Sequence, residues 1–242
     1  MLNAINVVFP NCPQRFCLRH IYANFQTAGF RGEELKKHMD AGSYAYTKHG
    51  FDAAMALMKE ESEEAYQWLS KIPVECWDRY AMDDNCKTDL IMNNLSEVFN
   101  IMILDVRNKP VKTMFDEIRT KLVTKYEKNR TGIEIARWQI TPTYSEMLEE
   151  NKKWSRPCNA KRAAGDLWQV SSSRERVYVV HLGNRTCGCR RWDMTGIPCS
   201  HAISAIYKSK HHPGDFVHDF FKKPMYLEAY KPIIYPVPRE DL

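Results

Sequence analysis

The 242-residue chain contains no run of eighteen apolar residues, so nothing in it is expected to span a membrane. Its opening stretch, MLNAINVVFP, has neither a basic flank nor a long apolar region, and no secretory signal is expected there. Without export the eight cysteines are expected as thiols, in cytosol or nucleus, rather than as a disulfide framework. The glycosylation-type triplets at Asn129 and Asn184 therefore carry no weight. Internal repeats and low-complexity tracts are lacking, and charged residues are interspersed, which excludes broad disorder. No dense Lys/Arg run appears either, although the net charge is +5.

That modest total hides an asymmetry. Residues 151–242 carry 16 Lys and Arg against 8 Asp and Glu, whereas residues 1–150 carry 19 against 22. A positive C-terminal third points to an acidic partner, of which nucleic acid is the commonest, with a solvated surface as the plain alternative.

Apolar periodicity predicts helices through most of the first 132 residues. FDAAMALMKE and EEAYQWLSKI repeat at three and four, and Met55, Trp68 and Trp77 fall on apolar faces. RFCLRHIYANF reads as a short strand turning into a helix, preceded by a helix end over 2–9 that Pro10 stops. After Pro110 a helix is expected with Val111, Phe115, Ile118 and Leu122 in one stripe, ending near NRTG. Residues 133–165 read as a linker with one short helix. LWQVSS and RVYVVHL, joined by polar residues, then predict a hairpin. CSHAISAIYKS predicts a helix with Ile203 and Ile206 inward, and the aromatic, proline-containing tail 211–242 holds at most one more. The fold class expected is α+β: a mainly helical region 1–132, the linker 133–165, a hairpin-plus-helix unit 166–210, and the tail.

Three cysteines and a histidine crowd into one stretch of that unit: Cys187, Cys189, Cys199 and His201. Residues two apart on an extended segment face one side, so the sulfurs of Cys187 and Cys189 can converge, with Gly188 expected to ease a tight bend. Positions two apart on a helix do not share a face. Cys199 is therefore expected at the helix start, after Pro198, with His201 in the first turn. Three thiolates and an imidazole are a closed tetrahedral set, which predicts one structural Zn²⁺ with no open catalytic position. Arg185, Arg190 and Arg191 are near enough in sequence to offset the resulting negative charge.

The spacing C-x-C, nine residues, C-x-H, with GIPCSHA and the hairpin before it, resembles a SWIM-type zinc finger. The tail from Tyr226 to Pro238 resembles the segment C-terminal to this finger in plant Mutator-like transposases. LNAINVVFPNCPQRFCLRHIYANF, with Cys17 and His20 as a C-x-x-H pair, and Asn94–Asn100, with Glu97 as an acidic candidate, are similar to other parts of that family. The resemblance implies an RNase H-like origin for the helical region, DNA as partner and the nucleus as location. The chain begins after the positions of the family's first two aspartates. A lone carboxylate cannot organise two divalent cations, so a truncated, non-catalytic protein is expected, unless the chain is a fragment of a longer active transposase. Glu97 has a plain reading as the partner of an Asn94 helix cap, and Cys17 and His20 as packing residues.

Candidate phosphate contacts are Arg185, Arg190, Arg191, Lys208 and Lys210, with Trp192 stacking or packing. A protein-interaction module using Phe216, Phe220, Phe221, Tyr226 and Tyr230 is the alternative. His211 and His212, beside Pro213, lack a partner set for metal. Cys76, Cys86 and Cys158 carry no assignment.

Overall fold

The computed structural model describes residues 7–8, 12–91, 94–172, 176–235 and 237; the side chains of 94–96 fall outside the description. The expected helix end over 2–9, the Asn94 cap and the last prolines of the tail lie largely or wholly outside it.

The first module is helical. Helices α1 (Leu18–Thr27), α2 (Glu33–Ser43), α3 (Lys48–Glu61) and α4 (Glu63–Leu69) enclose one core. Leu18, Ile21 and Phe25 bury one face of α1, and Met55 and Met58 one face of α3. The Thr47 hydroxyl accepts from the Gly50 amide to cap α3, and the Ser62 hydroxyl accepts from the Ala65 amide to cap α4. Trp77 is buried in this core, and Trp68 packs edge-on against Phe25. Residues 12–17 form no strand. They run extended instead, with the Phe16 and Leu18 amides donating to the carbonyls of Cys76 and Ile91.

Residues 78–90 have no regular structure, and arginines hold them. Arg15 donates to the carbonyls of Asp83 and Thr88, and Arg79 to that of Asp89. Beyond them lie α5 (Asn94–Met102) and the long α6 (Val111–Ile135), which runs through NRTG. The stripe on α6 faces no core at its start, where Val111 is 67% and Phe115 62% exposed.

The segment read as a linker holds more than one helix. It supplies α7 (Pro142–Ser155) and a strand, β1 (Asn159–Ala164). The expected hairpin is β2 (Leu167–Ser171) with β3 (Val177–His181), and a two-residue β4 (Thr186–Cys187) completes an antiparallel sheet in the order β1-β2-β3-β4. Trp168 pairs with Val180 and Val170 with Tyr178, so one face of the hairpin is apolar. Two short helices come next, α8 (Arg191–Thr195) and α9 (Ser200–Lys208). The apolar face of the sheet packs on α9 through Ala202, Ala205 and Ile206, while Ile203 faces Leu148 of α7. The tail adds two 3₁₀ turns and α10 (Lys223–Tyr230).

Most of the tail's rings turn inward. Phe221 is buried and stacks on Tyr144; Tyr226 meets Trp138 and Tyr230 meets Tyr126 edge-on. Phe216 packs against Trp192, and Phe220 remains exposed. Nothing resembling an RNase H sheet occurs among the described residues, where every named strand lies between 159 and 187. No described helix is long and apolar enough to cross a membrane.

Candidate metal centre

Cys187 ends β4, opposite Val180, which fixes its depth in the sheet. Its backbone amide donates to the Asp193 carboxylate at 3.0 Å. The Gly188 amide donates to the Val179 carbonyl, and the Arg190 amide closes a turn onto the Cys187 carbonyl. That turn presents Cys189 beside Cys187. The bend expected at Gly188 is taken by Arg190, whose φ is +61°. A Cβ at Gly188 would meet only ordinary contacts, the closest at 3.5 Å.

The second pair arrives through α8. That helix ends at Gly196, in the left-handed conformation with φ +67°, and its amide donates to the Trp192 carbonyl. Only a residue without Cβ takes this conformation freely. Ile197 and Pro198 are buried, and Asn151 donates to the Pro198 carbonyl. Cys199 is the N-cap of α9, and His201 sits in its first turn, as the spacing requires. The Tyr178 ring stacks on the His201 imidazole with centroids 3.9 Å apart, which fixes the ring's orientation.

The four donor atoms lie within 4.8 Å of one another. Cys189 Sγ and Cys199 Sγ are 3.5 Å apart, and His201 Nδ1 is 3.7 Å from Cys187 Sγ and 3.9 Å from Cys199 Sγ. A tetrahedral Zn²⁺ with three sulfurs and one nitrogen has S···S edges of roughly 3.8 Å and S···N edges of roughly 3.6 Å. The donor set therefore fits zinc in chemistry, number and size. All three cysteines are buried and His201 half-buried.

The thiols also compete for ionisation. Burial holds Cys199 well above the usual thiol range, and Cys187 is pushed up chiefly through its hydrogen bond to Cys189. Hydrogen bonds from Cys187 and Cys199 hold Cys189 far below that range. Binding of Zn²⁺ by this set would require all three thiols to ionise, with release of their protons.

Two of the three arginines read as charge partners, Arg190 and Arg191, are committed elsewhere. The Arg190 guanidinium donates to the carbonyls of Arg79 and Met82, at 3.1 and 2.7 Å, and Arg191 lies over the Tyr46 ring. Arg185, also at positive φ, is exposed, as are Lys208 and Lys210. Trp192 is buried, so its ring packs and does not stack on a ligand. Glu97 is ion-paired with Arg19, and His20 is exposed. Cys17 is the N-cap of α1. Among the described residues, the Cys187–His201 set is the one cluster of three or more Cys, His or carboxylate side chains placed to share an ion, and it includes none of these three.

Three supporting residues lie outside the sequence-based expectations. Asp193 and Tyr178 hold Cys187 and His201 in place, and Gly196 turns the chain between the ligand pairs. The TG before IPC is the one legible sign, since a glycine after a short helix marks a left-handed cap.

Residues 178–210 match the family model of the SWIM zinc finger. The chain thus carries a SWIM zinc finger domain, with the four clustered donors inside the matched segment. Neither the curated proteins nor the solved structures returned a match.

Proposed function

We propose that this protein is a zinc-stabilised, non-catalytic nucleic-acid-binding protein, in which the finger is an architectural element. The observation that carries the reading is the closed, buried set Cys187, Cys189, Cys199 and His201. It saturates a tetrahedral ion and leaves no position for a substrate or an activated water. The ion's chemistry in such a place is structural: it ties β4, the turn before α8 and the start of α9 to one point. Apparent zinc-binding free energies at such sites are roughly 10–16 kcal/mol, enough to decide whether so small a unit folds.

Nucleic acid as partner is supported by the excess of Lys and Arg beyond residue 150. Origin from a Mutator-like transposase, and a place in the nucleus, rest on the residue resemblances at 2–25, 94–100 and 226–238. An active nuclease would need carboxylates brought together. The ion pair of Glu97 with Arg19 gives that reading no support. A protein-interaction role for the tail is disfavoured by Phe221, Tyr226 and Tyr230 packing against rings of the same chain.

Elemental analysis of the purified protein tests the metal, and a salt-titrated gel shift tests the partner. One zinc per chain is expected, lost in Cys199→Ala. Binding to DNA is expected to weaken steeply with salt. A zinc-free protein with an intact finger would refute the first part. Absence of any complex at low salt would refute the second.

A further inference from the structure

We infer that the phosphodiester contacts are made by a cationic strip along the C-terminal ends of α7 and α9, and not by Arg190 and Arg191, which are held by other contacts. The inference rests on the nucleic-acid reading above and locates its surface.

Two grooves meet at Lys208. One is lined by Lys152, Lys153, Arg156, Tyr207 and Lys208, with Glu149 the single carboxylate among its lining residues. The other is lined by Arg162, Lys208, Lys210 and His211, again with one carboxylate, Asp166. Lys208 lines both, so the two grooves adjoin there. Together they carry six cations and two carboxylates, and one of those carboxylates, Glu149, already pairs with Lys152.

How these cations are left is informative. Many of the chain's other lysines pair with acids three or four residues away, as in Lys36–Asp40, Lys48–Asp52, Lys222–Asp219 and Lys231–Glu228, while Lys71, Lys112, Lys125, Lys128 and Lys161 are unpaired among the described residues but do not line these grooves. Among the described residues, Lys153, Arg156, Lys208 and Lys210 have no ion pair and no side-chain hydrogen bond. Four unneutralised cations along these adjoining grooves leave a positive surface potential that a row of phosphates would match. The Tyr207 ring, 49% exposed, lines the first groove with the lysines and gives it an apolar, stackable element.

Helix macrodipoles offer a competing account, since cations near helix C-termini stabilise the helix. Lys210 separates the two accounts. It lies beyond the end of α9 in the left-handed conformation, φ +62°, where glycine is the relaxed residue. A lysine there carries backbone strain that helix stability does not require.

The test uses the full-length, zinc-loaded protein and a mixed-sequence DNA duplex, with fluorescence anisotropy recorded across a salt series. Lys153→Gln/Arg156→Gln/Lys208→Gln/Lys210→Gly is compared with wild type and with Lys112→Gln/Lys125→Gln, exposed lysines of α6. Each phosphate contact contributes about 0.9 to the slope of log K against log salt, so the fourfold variant is expected to lose roughly 3–4 units of slope and at least about 100-fold in affinity at 0.1 M salt. Lys210→Gly alone is expected to lose about one unit of slope with thermal stability kept or raised. Should the fourfold variant misfold, this single change still decides the matter. Wild-type binding that the fourfold variant matches within about threefold, or that the α6 pair loses equally, overturns the strip but leaves the nucleic-acid reading standing. Absence of wild-type binding at low salt overturns both.

Discussion

Replacing Gly196 with alanine is expected to damage the finger, while the same change at Gly188 is nearly silent, although both glycines lie between zinc ligands. Two terms act at Gly196. Its φ of +67° is a conformation that an L-residue with a Cβ enters at a penalty of about 1–2 kcal/mol. The added Cβ would also fall 2.7 Å from the Cβ of His218, 3.1 Å from the Phe221 ring and 3.3 Å from the Cβ of Lys87. His218 Cβ is no flexible tip, and the His218 amide donates to the Gly196 carbonyl, so the segment has to move with it. Overpacking of this kind costs about 1–3 kcal/mol. Together they give roughly 2–5 kcal/mol, or about 5–15 °C in melting temperature for a chain of this size. At Gly188 the nearest atoms lie at 3.5 and 3.6 Å and φ is not positive. Alanine there is expected within about 1 kcal/mol of wild type, since reduced freedom of the unfolded chain offsets any crowding. Thermal unfolding in zinc-saturated buffer, monitored by near-ultraviolet circular dichroism, reads both variants. Equal melting temperatures for Gly196→Ala and wild type would refute the reasoning, as would a larger loss at Gly188.

Arg190→Gln is expected to lower stability by about 2–3 kcal/mol, through two hydrogen bonds from a charged group to backbone carbonyls, while zinc content stays at one per chain; denaturant unfolding with metal analysis checks both. Chelation is expected to expose the loop Asp83–Lys87 to limited proteolysis, because the finger residues that hold it lose their anchor, and zinc, unlike magnesium, should restore protection. Burial raises the Asp78 carboxyl to about 7, against the nearby guanidinium groups of Arg190 and Arg79. The folded state therefore holds a proton that the unfolded state has released, so stability present at low pH is lost as pH rises through 7. Between pH 6 and 8.5 the loss is about 1–2 kcal/mol, and Asp78→Asn is expected to remove it, as read by urea midpoints across that range.

The zinc ligands are legible in the sequence because their constraint is local. Two Cys-x-donor pairs, with a strand before and a helix after, specify their geometry within fifteen residues. The hairpin is legible for a similar reason, since Trp168, Val170, Tyr178 and Val180 alternate with outward residues. Strand β1 is not, because Asn159–Ala164 is an edge strand that buries only Ala160 and shows no alternation. Arg190 misleads for a different reason. A cation in a short loop looks the same in sequence whether it meets phosphate or the carbonyls of residues more than a hundred positions earlier. The tail's rings are equally ambiguous, since their partners Tyr126, Trp138 and Tyr144 lie about 80–100 residues upstream.

The segment between the ligand pairs is where the finger meets the helical module. Arg190 reaches the carbonyls of Arg79 and Met82, Lys87 donates to the Asp193 carbonyl, Arg191 covers Tyr46, and Met194 is buried in the core of the helical module. All of these finger residues lie between Cys189 and Cys199. A five-residue helix such as α8 has too few internal hydrogen bonds to persist alone. Contacts from Arg190, Asp193 and Gly196 hold its ends, and ligation of the two flanking cysteines at one point would add a further anchor. An ion closing the finger would therefore also support the surface on which residues 78–89 rest, a stretch with no helix or strand of its own. The nine-residue gap thus carries Met194 into the core of the helical module as well as closing the donor set.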